Sequence, residues 1–162
     1  MNNAIKIILI TLLCQLGTPV FADKGDANVL VRMFDWWNAA MKTTDGLTEQ
    51  AFREYYTEDA AIIINGNELV RGIKPMVEHF RGARARIESV EIVLPFEEEF
   101  ESESGDHIFT YHLVRTRVDG ADQLSHLMGY AVVEEGRISL INFVRYNQPV
   151  AADAVALSKE IQ

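Results

Sequence analysis

"YYTEDAAIIINGNELVRGIKPMVEHF", residues 55–80, contains in one run both periodicities that a mixed α and β domain needs. The segment "AAIII" is short, apolar and β-branched, which suits a buried strand. Asn65-Gly66 follows, a two-residue hairpin signal whose side chains tolerate the positive φ of a type I′ turn. Asn65 is therefore read as a turn residue; a catalytic amide at this depth is the alternative. "NELVR" returns as a second strand. Gly72 then opens a helix, "IKPMVEHFRGARA", with Pro75 in the first turn, where its missing N–H costs little. Ile73, Met76 and Phe80 share the inner stripe of that helix.

Upstream, Leu30, Met33, Phe34, Trp37, Ala40 and Met41 recur at helical spacing and predict a first helix over 29–41. Trp36 lies beside the stripe, and either tryptophan can wall a pocket. Thr48 is a plausible N-cap, with Leu47 and Phe52 as a hydrophobic staple, so a short second helix is expected to end near Tyr56 and to pack on the first. Downstream the pattern changes to strands at 90–103, 107–118, 123–134 and 137–147, separated by "SGD", "DGAD" and "EEG" turns. Tight turns between sequential strands give an antiparallel meander. Helices first and a long sheet after them predict an α+β domain in which a strongly curved, mostly antiparallel sheet wraps around three helices. The tail, 149–162, is expected to be weakly helical or unstructured.

Residues 1–22 read as a cleaved secretory signal. Lys6 precedes the apolar stretch Ile7–Leu13, and "VFA" ends at Ala22 with side chains a signal peptidase accepts. The apolar stretch is far shorter than the roughly 20 residues of a membrane-spanning helix. Cys14 follows the bulky Leu13, where a lipidation signal carries a small residue. Cleavage removes 22 of the 162 residues and with them the sole cysteine, so the exported domain, 23–148, relies on a hydrophobic core instead of disulfides. A periplasmic destination is expected if the host has an outer membrane, and secretion otherwise.

The 162-residue chain carries 15 Lys and Arg against 24 Asp and Glu, a net charge of −9 that becomes about −10 once Lys6 is lost. Nucleic acid and anionic membrane surfaces are therefore not expected partners. The acidic run "FEEEFESESGD" reads as a solvated strand edge. The four histidines show no metal-ligand spacing, and no glycine-rich phosphate loop or Gly-x-Ser-x-Gly turn is present, so no metal and no cofactor are expected.

With "YYTEDAAI", "RGIKPMVEHF" and "EEGRISLINFVRY" in this order, the chain resembles the SnoaL-like branch of the nuclear-transport-factor-two-like superfamily over roughly residues 28–148. The resemblance implies a cystatin-like cone with a central apolar pocket. It spans isomerases, cyclases, dehydratases, epoxide hydrolases and non-catalytic modules. Where steroid isomerases have their base, this chain has Ile64; their second acid falls near Gly129, and neither Gly129, Met128 nor Tyr130 is acidic. Arg117 to Asp119 mimics part of an epoxide hydrolase arrangement at a strand end, with Asn147 where a final acid belongs.

Alternation puts His107, Phe109, Tyr111, Leu113 and Arg115 on one face of their strand and Ile108, Thr110, His112 and Val114 on the other. The resemblance favours the first face as inward, along with Ile141, Phe143 and Arg145, and it places His79 where isomerases present an aromatic to the ligand. The expected ligand-binding set is thus Trp37, Met76, His79, Phe109, Tyr111, Ile141, Phe143 and Arg145. His79, Tyr111 and Arg145 are the candidate catalytic groups. Each has a plainer reading: a half-exposed histidine, a core tyrosine, an arginine paired with an acid on the next strand. His126 changes face with one residue of register. The expected function is binding of a small, largely apolar molecule. A cyclase-, isomerase- or dehydratase-type enzyme is the alternative, and so is a homodimer through the outer sheet face, burying His112, Val114 and Tyr130.

Overall fold

The computed structural model describes residues 27–147; the leader expected at 1–22, Cys14 within it, and the tail expected at 149–162 lie outside the described residues. Three helices and seven strands follow in the order α1 (Val29–Ala40), α2 (Glu49–Arg53), β1 (Tyr56–Ile64), β2 (Asn67–Arg71), α3 (Ile73–Arg84), β3 (Ser89–Ile92), β4 (Glu98–Glu101), β5 (His107–Val118), β6 (Ala121–Glu134) and β7 (Arg137–Asn147). This is the expected α+β architecture, with helices against one face of a curved sheet.

Local chemistry explains the helix ends. The Asn28 side chain accepts from Val31 N at 3.0 Å and caps α1. Thr48 caps α2, accepting from Ala51 N at 3.2 Å, between a fully buried Leu47 and Phe52. The second helix is shorter than the sequence suggests, because Tyr56 is already the first residue of β1. Trp36 stacks on Tyr55 and meets Phe52 edge-on, which joins α1 to the α2 region.

The sheet runs β2-β1-β7-β6-β5-β3, with β4 also on β5. Strands β5, β6 and β7 form the expected meander, while β1 pairs with β7 in parallel. The expected strand at 90–103 is two strands. The chain breaks at Leu94-Pro95, where proline has no N–H to give a ladder, and β3 and β4 then pair with opposite ends of β5. Asn38 ties α1 to this edge: its amide donates to Ile92 O and accepts from Ile92 N, both at 2.8 Å.

Curvature is built into the middle strands. Gly129, at φ 152°, sits where a Cβ would run into the Asn142 carbonyl oxygen and lie 2.8 Å from the Phe143 ring. The register also shifts between Val132 and Val133, a bulge that increases local twist. The concave face so formed packs against α1 and α3 around Leu30, Met33, Phe52, Met76, Ile108 and Ile138, all fully buried.

Candidate functional site

Between the concave sheet and the helices lies a cavity of about 240 Å³. Met33, Phe34 and Trp37 of α1, Met41 just past its end, and His79, Phe80 and Ala83 of α3 form one wall; Ile62, Ile64, His112, Leu127, Ile141 and Phe143 of the sheet form the other. The exposed Leu69 and Arg145, with the half-buried His79 and Ile87, lie at its open end. No aspartate or glutamate is among the described residues on the wall.

The face of β5 that points inward is the opposite of the expected one. Ile108, Thr110, His112, Val114 and Thr116 are buried, whereas Arg115 and Arg117 are exposed. Phe109 and Tyr111 are therefore not cavity residues. Phe109 stacks on Phe100, with centroids 4.7 Å apart, and the Tyr111 hydroxyl lies 2.7 Å from His126 Nδ1, all on the outer face. Two arginines at alternate positions cannot be desolvated cheaply, so their face must meet solvent. The same correction applies to the outer surface: His112 and Val114 are interior, and of the three residues expected there only Tyr130 belongs.

His112 is the polar group at the cavity floor. It is 1% exposed and enclosed by Phe34, Phe96 and Phe143, with ring centroids 5.4, 5.3 and 5.0 Å away. Its Nδ1 lies 3.1 Å from Thr110 Oγ1, and its Nε2 has no partner among the described residues. Burial pushes its pKa down to about 4, so the ring is neutral at physiological pH. Trp37 Nε1 is a second buried polar atom on this wall without a partner. Tyr56 spends its hydroxyl on Met33 Sδ at 3.3 Å, and burial raises its pKa well above the usual range.

Of the other expected residues, Trp37, His79, Ile141, Phe143 and Arg145 line the cavity, while Met76 is buried in the core off its wall. His79 meets Phe80 edge-on at 5.1 Å, and burial, aided by the nearby Arg86, lowers its pKa. Arg145 pairs with no acid among the described residues. Its Nε and Nη2 donate to Ser125 Oγ at 3.0 and 2.8 Å, and Nε also to Asn147 Oδ1 at 3.2 Å. Asn65 is the turn residue the sequence suggests, at φ 54°, and it has a second role. Its N–H donates to Phe143 O at 2.9 Å and its Oδ1 accepts from Arg145 N at 2.7 Å, which pins the hairpin tip to β7.

The epoxide hydrolase arrangement is not assembled. Arg117 pairs with Glu88 and Asp122 at the surface, and Asp119 is a positive-φ turn residue. No cluster of three potential metal-ligating side chains occurs among the described residues, and no helix there is long and apolar enough to cross a membrane.

No protein-family model matches the chain, and no curated protein matches it significantly. Solved structures do. An NTF2-like protein of unknown function from Exiguobacterium sp. 255-15 superposes with a TM-score of 0.59 at 18% identity, over 76% of this chain and 100% of that one. A SnoaL-like polyketide cyclase candidate from Jannaschia sp. CCS1 gives 0.57 at 15% identity, over 78% and 87%. An LEH-like epoxide hydrolase of M. tuberculosis gives 0.54 at 16%, over 74% and 79%. The fold is that of the nuclear-transport-factor-two-like cone, which SnoaL-like proteins share.

Proposed function

We propose that this nuclear-transport-factor-two-like domain is a binding module that holds a small, largely apolar molecule in its cone. The supporting observation is the wall itself: apolar side chains surround two buried, unpartnered polar atoms, Trp37 Nε1 and His112 Nε2. An unsatisfied buried polar group costs about 1–3 kcal/mol, so a ligand hydroxyl or carbonyl meeting either atom recovers that cost. A few convergent polar groups in an apolar enclosure are the usual composition of a small-molecule site.

Neighbours of this fold include a polyketide cyclase candidate and an epoxide hydrolase, so an isomerase- or cyclase-type activity is the competing reading. A histidine that protonates only near pH 4 is a weak base, and no carboxylate on the wall supplements it. That favours binding. Native mass spectrometry on the protein purified from the exported fraction of its host tests the proposal. A retained small molecule is expected, absent from a Leu127→Trp variant that fills the cavity. A wild-type chain with nothing bound, unmoved by a screen of apolar compounds, overturns it.

Two further parts of the account are also proposals. The first is export through cleavage after Ala22, which N-terminal sequencing of the mature protein checks: Asp23 is expected first, and an intact Met1 overturns it. The second is a homodimer through the outer face. Phe100, Met128, Val144 and Tyr146 there are 63, 55, 58 and 59% exposed and, with Phe109, Tyr111 and Tyr130, form a contiguous aromatic and apolar surface.

A further inference from the structure

We infer that the ligand of this cavity is an apolar carboxylate whose charged end Arg145 receives at the open end. The inference rests on the binding reading above and adds the ligand's charge. Arg53, Arg71, Arg115 and Arg117 each pair with an acid at the surface. Arg145 does not, and neither do Arg81, Arg84, Arg86 and Arg137 among the described residues; of the described arginines it is Arg145 that lines the cavity. Its partners among the described residues are neutral oxygens: Ser125 Oγ, which is fully buried and donates to Asn147 Oδ1 at 2.8 Å, and Asn147 Oδ1 itself. These bonds fix the guanidinium without compensating its charge.

The bonds also decide which edge is presented. Nε and Nη2 face Ser125 and Asn147, which leaves Nη1 and the second hydrogen of Nη2 as an end-on fork. That fork matches the two oxygens of a carboxylate. The Asn65 amide holds the Arg145 backbone from the hairpin tip, so the arginine is anchored at both backbone and side chain. Arg86, close enough to His79 to lower its pKa, is a second cation near the open end with no acid partner among the described residues.

Register sets the ligand's orientation. His112, Leu127 and Arg145 are consecutive partners across β5, β6 and β7 on the concave face. Two strand spacings separate the arginine from the neutral imidazole, roughly 10 Å between their Cα atoms. One end of the rung is thus cationic and the other neutral, with apolar side chains between. A cationic ligand would find no acid on the wall.

The test is calorimetric titration of 2-naphthoate against 2-naphthamide, a neutral probe of nearly the same shape, at pH 7.5 and low salt. Octanoate and octanamide form a second pair, for a cavity that prefers a chain to a flat ring. Wild-type protein is expected to bind the acid of at least one pair tenfold or more tighter than its amide. Arg145→Gln should bring the two together without weakening the amide. Equal binding, or preference for the amide in both pairs, overturns the carboxylate while leaving the cavity reading intact. Failure of all four probes overturns both.

Discussion

His112 is buried with its ring neutral, and that position makes a testable claim about pH. The folded protein holds the ring neutral down to about pH 4, whereas an unfolded chain protonates it near its ordinary value of 6.5. Between those values the unfolded state binds more protons, so stability falls as pH drops, by a total of roughly 3 kcal/mol once pH is below both. Urea titrations at pH 7 and pH 4.5 should show most of this fall, and His112→Phe should remove most of the difference. Equal slopes in the two proteins would mean that the ring is solvated. The residue was legible in principle: Arg115 and Arg117 share a face of β5 with Tyr111, and two arginines mark that face as the solvent side. The family resemblance pointed the other way and placed Phe109 and Tyr111 inward, although a half-covered outer face also collects aromatics. Asn65 was legible as a turn, but its bond to Arg145 N joins residues 80 positions apart, which no local pattern encodes. Asn65→Gly keeps the turn and loses the bond. It should cost about 1 kcal/mol in the same denaturant measurement, and Asn65→Asp should cost less.

The helix starts, the Asn-Gly hairpin and the β5-β6-β7 meander could be read from periodicity and turn chemistry, since both are properties of neighbouring residues; the early end of α2 at Arg53 could not. The parallel pairing of β1 with β7 could not, and neither could the break at Pro95 that lets β3 and β4 share β5. Both depend on which edge remains free after the meander forms. Two single residues hold the resulting arrangement. Asn38 satisfies both backbone groups of Ile92, so Asn38→Ala should destabilise the protein by about 2 kcal/mol and raise hydrogen exchange at β3 more than elsewhere. Gly129 permits the bend that makes the sheet concave. Gly129→Ala adds a clash with Asn142 O and backbone strain, an expected loss of about 3 kcal/mol or more by thermal or chemical denaturation.

At the scale of the molecule, the order of elements foretold a curved sheet around three helices and the family resemblance implied the cone and its cavity, whereas the identity of the polar wall was not legible, because one residue of strand phase exchanges two complete faces. The exposed outer surface carries the proposed dimer. Val144→Asp places a charge at its centre on a side chain that is 58% exposed, so folding should be unaffected while sedimentation shifts from dimer to monomer. A wild-type monomer would remove the dimer from the account. The central claim, that small molecules enter between α1, α3 and the concave sheet, is tested most directly by the two indole N–H signals of the protein. Trp37 lines the cavity with an unpartnered Nε1, while Trp36 packs on Phe52 and Tyr55 away from it. In a ¹H–¹⁵N spectrum titrated with 2-naphthoate, the Trp37 indole peak should move saturably and the Trp36 peak should stay in place. A stationary Trp37 peak at concentrations that shift Tyr111 and Met128 on the outer face would contradict the cavity as the binding site.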